Sequence, residues 1–429
     1  MTVMQKSGFA AFRYREYRYF WLGAVFSNVG MWALIFGRLW LMHDLTDSTI
    51  MVGLVTTATL GPVLVFSMWG GVVADRVNRL RLVQATRGMF AALALLTGVL
   101  IAADLIEPWH IIAISVGTGL LIAIDIPSRS AMMPTLVPRE HLASAVALYS
   151  IVFGVAWVIG PALFEPLVNL WGIEGVFFLV AGSYVLTVAT LLLMSPDGHH
   201  PQGGPSTMVQ GLVDGLRYMN QHDIIKSVIL LGLVVGVFGV SYQTLLPVFS
   251  DDILSGGIST YSRLLLFAGV GGLSAILGVV VLGTRVAPAR FLIVSGLGFG
   301  LGILVLSNMR WFSGAALAIV LIGASRVIFE TMSTTLLQSL AADEFRGRVM
   351  SLQMLTWGAA ALGGVTMGAI AEAVSVPFAL SVGGLAIVSA TGLAGLTTLR
   401  RILVTNPERA ASPVASEQAT QPEYTGPPH

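Results

Sequence analysis

The feature that most limits what this chain can become is a series of twelve apolar runs, each long enough to cross a bilayer. They fall at 19–42, 50–74, 82–104, 109–134, 142–168, 173–194, 225–249, 262–284, 290–308, 311–338, 350–374 and 377–399, with short polar connections such as Glu107-Pro108 and Ser255-Gly256-Gly257. A helix of about 20 apolar residues spans the hydrocarbon core. The expected fold is therefore an all-α polytopic membrane protein with twelve transmembrane helices. Composition agrees, because only 10% of the residues are charged where a soluble domain carries roughly 25%. The first run is too long for the core of a signal peptide and no small-residue cleavage pattern follows it, so it reads as an uncleaved span.

Charge placement gives an orientation. With the N-terminus inside, the inner segments collect residues such as Lys6, Arg13, Arg15, Arg18, Arg76, Arg79, Arg81, Arg139, Arg217, Lys226, Arg346 and Arg348. Arg87, at the start of the third span, can snorkel to the same side. The outer loops hold Asp44, Asp47, Asp104, Glu107, Asp251 and Asp252, with Arg263 and Arg310 as their only basic residues. This asymmetry puts both termini in the cytoplasm. Phe9 to Phe20, rich in Phe, Tyr and Arg, reads as an interfacial helix ahead of the first span. Residues 195–224 read as a polar linker followed by an amphipathic helix from Met208 to Met219 lying on the membrane surface. The tail at 405–429, rich in Pro, Ala, Glu, Gln and Ser, reads as disordered.

The two halves look like copies. A shift of 204 pairs Leu136 with Leu340, Glu140 with Glu344, Leu148 with Leu352, Gly154 with Gly358 and Gly160 with Gly364. A shift of 209 pairs Arg76 with Arg285 and Arg81 with Arg290. The expected organisation is an N-terminal six-helix bundle at 1–194, a linker at 195–224, a C-terminal bundle at 225–404 and the tail, which is the parallel-repeat arrangement of a large transporter class.

The connection between spans two and three is unusually dense in charge. Asp75, Arg76, Arg79 and Arg81 fall within seven residues, flanked by Gly70 and Gly71, which would admit a neighbouring helix closely. If the turn is helical, Asp75 and Arg79 share a face and can pair. The stretch Gly71-x-Val73-Ala74-Asp75-Arg76-x-Asn78-Arg79-x-Arg81 resembles the signature of the major facilitator superfamily, with Asn78 in place of the usual Gly and Leu80 in place of one basic residue. Asn, like Gly, tolerates left-handed backbone, so the turn is expected to survive. Within the superfamily the chain is similar to the enterobactin-exporter and macrolide-efflux-like branch, the transmembrane secretion effectors. The matching segments are Ser27-Asn28-x-Gly30, Asp44-Leu45-Thr46-x-Ser48, Asp125-Ile126-Pro127-Ser128-Arg129, Pro134 to Glu140, Gly160-Pro161 and Leu246-Pro247-Val248. The resemblance implies alternating access, with Asp75 at the helix N-terminus of span eleven near Arg346-Gly347-Arg348 and Arg79 reaching toward Asp125, as a latch between the halves.

Several chemistries are excluded by composition. There is no Cys, so no disulfide, thiol nucleophile or cysteine metal site is available. A Walker A loop needs a Lys after a Gly, yet the only lysines are Lys6 and Lys226, so no ATP site of that type is present. The seven His show no metal spacing and no hydrolase triad is recognisable. Basic residues are dispersed, giving no nucleic-acid face. No cofactor is expected, and transport would draw on an ion gradient, where one charge moved is worth about 2.3 kcal/mol per 100 mV.

Ionisable groups inside a span are costly and mark function by default. Asp125 and Arg129 are four apart on span four, and Arg326 and Glu330 are four apart on span ten with the order of signs reversed. Both pairs read as packing, as gate elements or as proton-coupling groups. Arg38 and Glu165, near the outer ends of spans one and five, either pair with each other or snorkel separately. Glu372 is the approximate repeat mate of Glu165. Candidates for proton coupling are Glu165, Glu330 and Asp125. A drug-like cavity needs apolar and aromatic walls with a few polar groups, which Asn28, Trp32, Arg38, Tyr149, Trp157, Tyr242, Gln243, Met354 and Trp357 would supply. The favoured function is proton-driven efflux of amphipathic small molecules, drugs or siderophore-like metabolites, by a monomer in the plasma membrane. Uptake of an organic anion with Arg38 or Arg326 as counter-charge is one alternative; a non-transporting sensor on the same fold is another.

Overall fold

A computed structural model describes residues 8–195, 208–282 and 287–397. The expected tail and the polar first part of the linker lie outside these residues. Among the described residues the chain is helical, without strands. Helices α1 (Arg15–Thr46), α2 (Thr49–Arg76), α3 (Arg79–Ala102) and α4 (Pro108–Met132) are followed by a hairpin that is helical from Leu142 to Leu192. That hairpin reverses at Gly172, with φ +71°, and so forms two limbs, α5 (142–171) and α6 (173–192). After the surface helix α7 (Met208–Gln221) come α8 (Asp223–Ile253), α9 (Gly257–Leu282), α10 (Pro288–Asn308), α11 (Phe312–Leu340), α12 (Glu344–Ala373) and α13 (Val376–Leu396). Excluding α7, these are the twelve expected spans, two of them joined in the α5/α6 hairpin.

The boundaries have local causes. Ser48 and Ser375 cap α2 and α13, each accepting a bond from a backbone N–H three residues on, which satisfies a donor the helix leaves orphaned. Pro108 and Pro288 open α4 and α10, where a missing N–H costs nothing. Asp47, at φ 48°, ends α1 in the left-handed region. Within α8 the segments Val235–Gly239 and Phe249–Ile253 are π-helical, a widening often found at functional positions.

Two expectations about the periphery change. Phe9 to Phe20 is not one interfacial helix: Ala10–Arg13 is a short 3-10 turn and α1 already begins at Arg15. Its aromatic residues are tied to the start of α5, with the Tyr17 hydroxyl donating to the Ala145 carbonyl at 2.7 Å and Trp21 Nε1 to the Leu148 carbonyl at 3.1 Å. Helix α7 is where its amphipathic pattern places a helix, and it is docked on the C-terminal half. Tyr218 stacks on Phe345 at 4.4 Å, its hydroxyl accepts the Ala342 N–H, and Asp214 faces Arg348 at 3.4 Å.

We name the ends of the bundle by their loops: the basic end carries Arg76, Arg139, Arg346 and Arg348, the acidic end Asp47, Asp104, Asp251 and Asp252. At the acidic end Trp109, Trp171 and Trp311 are all more than half exposed, as expected of an aromatic belt. The halves meet along two seams, α2 with α12 and α5 with α9. In the first seam a β-carbon at Gly53 would overlap the Gly364 carbonyl, and one at Gly364 the Gly53 carbonyl, so the backbones touch only because both side chains are absent. Gly70 packs in the same way on the Ala123 carbonyl of α4. The large apolar cluster runs through both halves, whereas Tyr17, Phe20, Leu80, Val83 and Met132 form a separate cluster at the basic end of the N-terminal half.

Candidate functional site: interior charges and the acidic-end gate

Helical spacing brings Asp125 and Arg129 together on α4, and the neighbouring α3 adds two more groups. Asp125 Oδ2 accepts from Arg129 Nε at 2.6 Å and from Arg87 Nη2 at 2.8 Å, while Oδ1 accepts from the Thr86 hydroxyl at 3.0 Å. Arg129 also donates to the Tyr149 hydroxyl. Arg87 does not snorkel: it is 3% exposed, with its guanidinium 5.6 Å from the ring centres of Phe90 and Tyr184. Its register on α3 turns it inward, toward Asp125.

Arg38 and Glu165 do not pair. Arg38 is 1% exposed, inside the N-terminal half, and donates to the Leu34 carbonyl, to Ser115 Oγ at 3.3 Å and to Thr118 Oγ1 at 2.9 Å. Its Nη2 and the nearby Tyr184 hydroxyl have no hydrogen-bond partner. It faces α4, whereas Glu165 faces α9 across the seam, and so neither reaches the other.

In the C-terminal half Arg326 Nε donates to Glu330 Oε1 at 3.0 Å, and Glu330 is 37% exposed. The Arg326 guanidinium lies 5.1 Å from the ring centre of Trp157, on the other half. Trp157 packs edge-on against Trp32 at 3.9 Å, and Phe36 and Phe153 complete an aromatic wall. Of the expected cavity residues, then, Trp157 and Tyr242 lie beside Arg326, Trp32 joins them through Trp157, and Tyr149 joins the Asp125 network. Tyr242 and Gln243 are buried and bonded to each other at 3.3 Å. Asn28 is turned back on the Ala24 carbonyl. Met354 and Trp357 are 57% and 45% exposed and do not join the aromatic wall.

At the acidic end the halves are held together by two carboxylates, Glu372 and Glu165. Glu372, at the end of α12, accepts from the Ser48 hydroxyl at 2.6 Å and the Ile50 N–H at 2.9 Å, capping the N-terminus of α2, where the helix dipole favours negative charge. Glu165, toward the end of α5, accepts from the Ser259 hydroxyl at 2.5 Å and from Arg263 through two nitrogens, at 3.1 and 3.3 Å. Helix α9 starts five residues before the expected span, so Arg263 lies in its second turn rather than in a loop. Further bonds along the seams join Thr49 to the Gly368 carbonyl, Thr57 to the Ala361 carbonyl and Tyr261 to the Phe36 carbonyl. His43 Nε2 also meets Asp251 Oδ2 at 3.2 Å. With Asp252 it forms the one group of three among the described residues whose ligand atoms lie close enough together to hold an ion, on residues too far apart in sequence to show a metal spacing.

The charged loop departs from expectation. The turn is not helical through Asp75 and Arg79, since α2 stops at Arg76 and α3 starts at Arg79. Asn78 is not left-handed; at φ −59° it caps α3, its side chain accepting the Arg81 N–H at 3.1 Å. Arg79 donates to the Ala131 carbonyl at 3.2 Å, while the oxygens of Asp125 are taken by Arg87, Arg129 and Thr86. Gly71 and Asp75 are helical, and contacts of the Asp75 side chain lie outside the described residues. Arg76 and Arg81 are exposed at the basic end.

Comparison with known proteins fits this architecture. The family model for transmembrane secretion effectors matches residues 6–421. The staphyloferrin A transporter of Staphylococcus aureus (strain NCTC 8325 / PS 47) is 24% identical over 87% of this chain and 94% of its own length. The enterobactin exporter EntS of Escherichia coli O1:K1 / APEC is 28% identical over 86% of this chain and 88% of its own. Among solved structures, a POT family transporter superposes with TM-score 0.73 at 13% identity, covering 91% of this chain and 97% of its own. A bacterial homolog of the human lysosomal transporter Spinster, inward-facing and occupied, gives 0.70 at 13%, covering 93% and 99%. The chain belongs to the transmembrane secretion effector family of the major facilitator superfamily, and it is a multi-pass membrane transporter rather than an enzyme.

Proposed function

We propose that this transporter is a proton-driven exporter of siderophore-like small molecules, working as a monomer by alternating access in the bacterial inner membrane with both termini cytoplasmic. The observation that carries the reading is the pair of carboxylate clasps, Glu372 on α2 and Glu165 on α9. They close the acidic end from both halves through surface-level bonds that a rocking motion can exchange one for one with water. Export as the direction rests on the siderophore-exporting relative of similar length. With the basic end cytoplasmic, the state described here is sealed toward the outside.

The three candidate coupling carboxylates differ in their surroundings. Asp125 is 2% exposed and holds two guanidiniums and a hydroxyl, so removing its charge strands both arginines. Glu165 belongs to the gate. Glu330 has one charged partner and is 37% exposed, so its protonation unmatches one arginine where that of Asp125 would unmatch two, and we assign it the coupling role. Everted vesicles loaded with a proton-sensitive dye test this. Adding a transported siderophore at the cytoplasmic face should collapse an imposed gradient. Glu330→Gln should abolish uphill transport while sparing downhill exchange. If no compound from a chemically diverse panel moves protons, the antiport reading is lost.

A further inference from the structure

The interior charges of the two halves do not balance. In the C-terminal half Arg326 is matched by Glu330. In the N-terminal half Arg38, Arg87 and Arg129 share one carboxylate, Asp125, which is bonded to Arg87 and Arg129 and not to Arg38. Arg38 is left with neutral partners only: one carbonyl, two hydroxyls, and an Nη2 with none. It lies eight residues from the end of α1, about 12 Å along the helix axis, and at 1% exposure it does not reach the interface. A guanidinium withdrawn from water without a counter-ion costs several kcal/mol. Gluing α1 to α4 does not explain that cost, because a neutral side chain could bond the same hydroxyls.

We propose that the cargo is an anion bearing carboxylate groups, and that the unmatched guanidinium of Arg38 is a counter-charge it meets on the way to the acidic end; this rests on the transport reading above. The donor set suits such a group. The guanidinium fork matches a carboxylate bidentately, and the Ser115, Thr118 and Tyr184 hydroxyls can turn to add donors. Arg129, 14% exposed, lies toward the basic end, while Arg38 lies toward the acidic end behind the closed gate. Positive charge is therefore available at two depths along one half. The aromatic wall of Trp32, Phe36, Phe153 and Trp157 beside Arg326 accommodates the apolar remainder of the molecule.

The test measures thermal unfolding of the full chain in lipid nanodiscs with benzoate, phthalate, citrate or the lipophilic cation tetraphenylphosphonium. We expect carboxylates to raise Tm in the order of their charge, and tetraphenylphosphonium to leave it unchanged. Arg38→Met should raise the ligand-free Tm, because the desolvated charge is gone, while weakening carboxylate binding about ten- to a hundredfold. Arg38→Lys, which keeps the charge and loses the fork, should bind carboxylates more tightly than Arg38→Met and less tightly than the wild type. A lower ligand-free Tm in Arg38→Met would make Arg38 structural, and equal carboxylate shifts in wild type and Arg38→Met would remove it as the counter-charge. Stabilisation by tetraphenylphosphonium and not by carboxylates overturns the anion and leaves the exporter reading standing. Failure of every probe, together with no proton movement in the vesicle assay, overturns both, while failure of every probe with proton movement intact overturns the anion alone.

Discussion

Helices α4 and α11 carry the same device with the signs reversed, and the two copies are embedded differently. On α4 the carboxylate of Asp125 is the hub: two guanidiniums and a hydroxyl converge on it, and it is 2% exposed. On α11 the carboxylate is the outer member of a single pair, and Glu330 is 37% exposed. Each half carries an i,i+4 ion pair, and the surroundings of the two pairs divide the work. The α4 copy ties α3, α4 and α5 into one body, and the α11 copy keeps an acid that can change its charge without stranding more than one partner. The gate shows a similar division. Glu372 caps a helix through a backbone N–H and a hydroxyl, whereas Glu165 relies on a hydroxyl and Arg263, whose side chain is 58% exposed.

The comparison can be broken at its strongest point first. Asp125→Asn leaves buried arginines without their carboxylate, a loss of about 3–5 kcal/mol, and is expected to abolish folded protein in a detergent-stability assay; survival with normal Tm would show that the hub does not hold the half together. Gly364→Val should wedge the α2/α12 seam at a cost of about 1–3 kcal/mol to the closed gate. The chain has no cysteine of its own, so an introduced pair at Thr57 and Ala361 reports the gate without background, and its cross-linking yield should fall in the valine variant. Glu372→Gln removes a charged helix cap and should loosen the gate by about 0.5–2 kcal/mol, seen in the same cross-link. Glu165→Gln should do less, about 1 kcal/mol or below, because its ionic partner is largely in water. An equal effect of the two glutamines would erase the distinction between the clasps. Glu330→Gln is expected to remove uphill transport and to lower Tm less than Asp125→Asn does, because it leaves one buried arginine, Arg326, without its carboxylate rather than two.

The number and order of the spans were legible in the apolar runs, and the i,i+4 pairs in the helical period. Partners on other helices were not. Arg87 meets Asp125 from 38 positions away, Arg38 meets Ser115 from 77, and Glu372 meets Ser48 from 324. Each depends on how a helix is rotated about its axis. A soluble helix advertises that rotation by its polar stripe; a span that is apolar on every side does not. Arg87 and Arg38 therefore looked like residues reaching for an interface, when their register points them inward. At the charged loop, similarity to a Gly-containing signature suggested left-handed backbone at Asn78. The local chemistry of Asn offers a second solution, capping α3, and the chain takes it.

The surplus of guanidinium in one half has an electrical consequence. Among its interior residues Arg38, Arg87 and Arg129 face the single carboxylate of Asp125, which leaves two positive charges unmatched, and in alternating access that group would rock against a membrane potential. The step that returns the empty carrier then displaces charge across part of the field, at up to about 2.3 kcal/mol per charge per 100 mV for a full crossing. A doubly negative passenger cancels that displacement. Such a carrier would be electrically silent when loaded and voltage-sensitive when empty, so membrane potential would set the rate of its return rather than of its delivery.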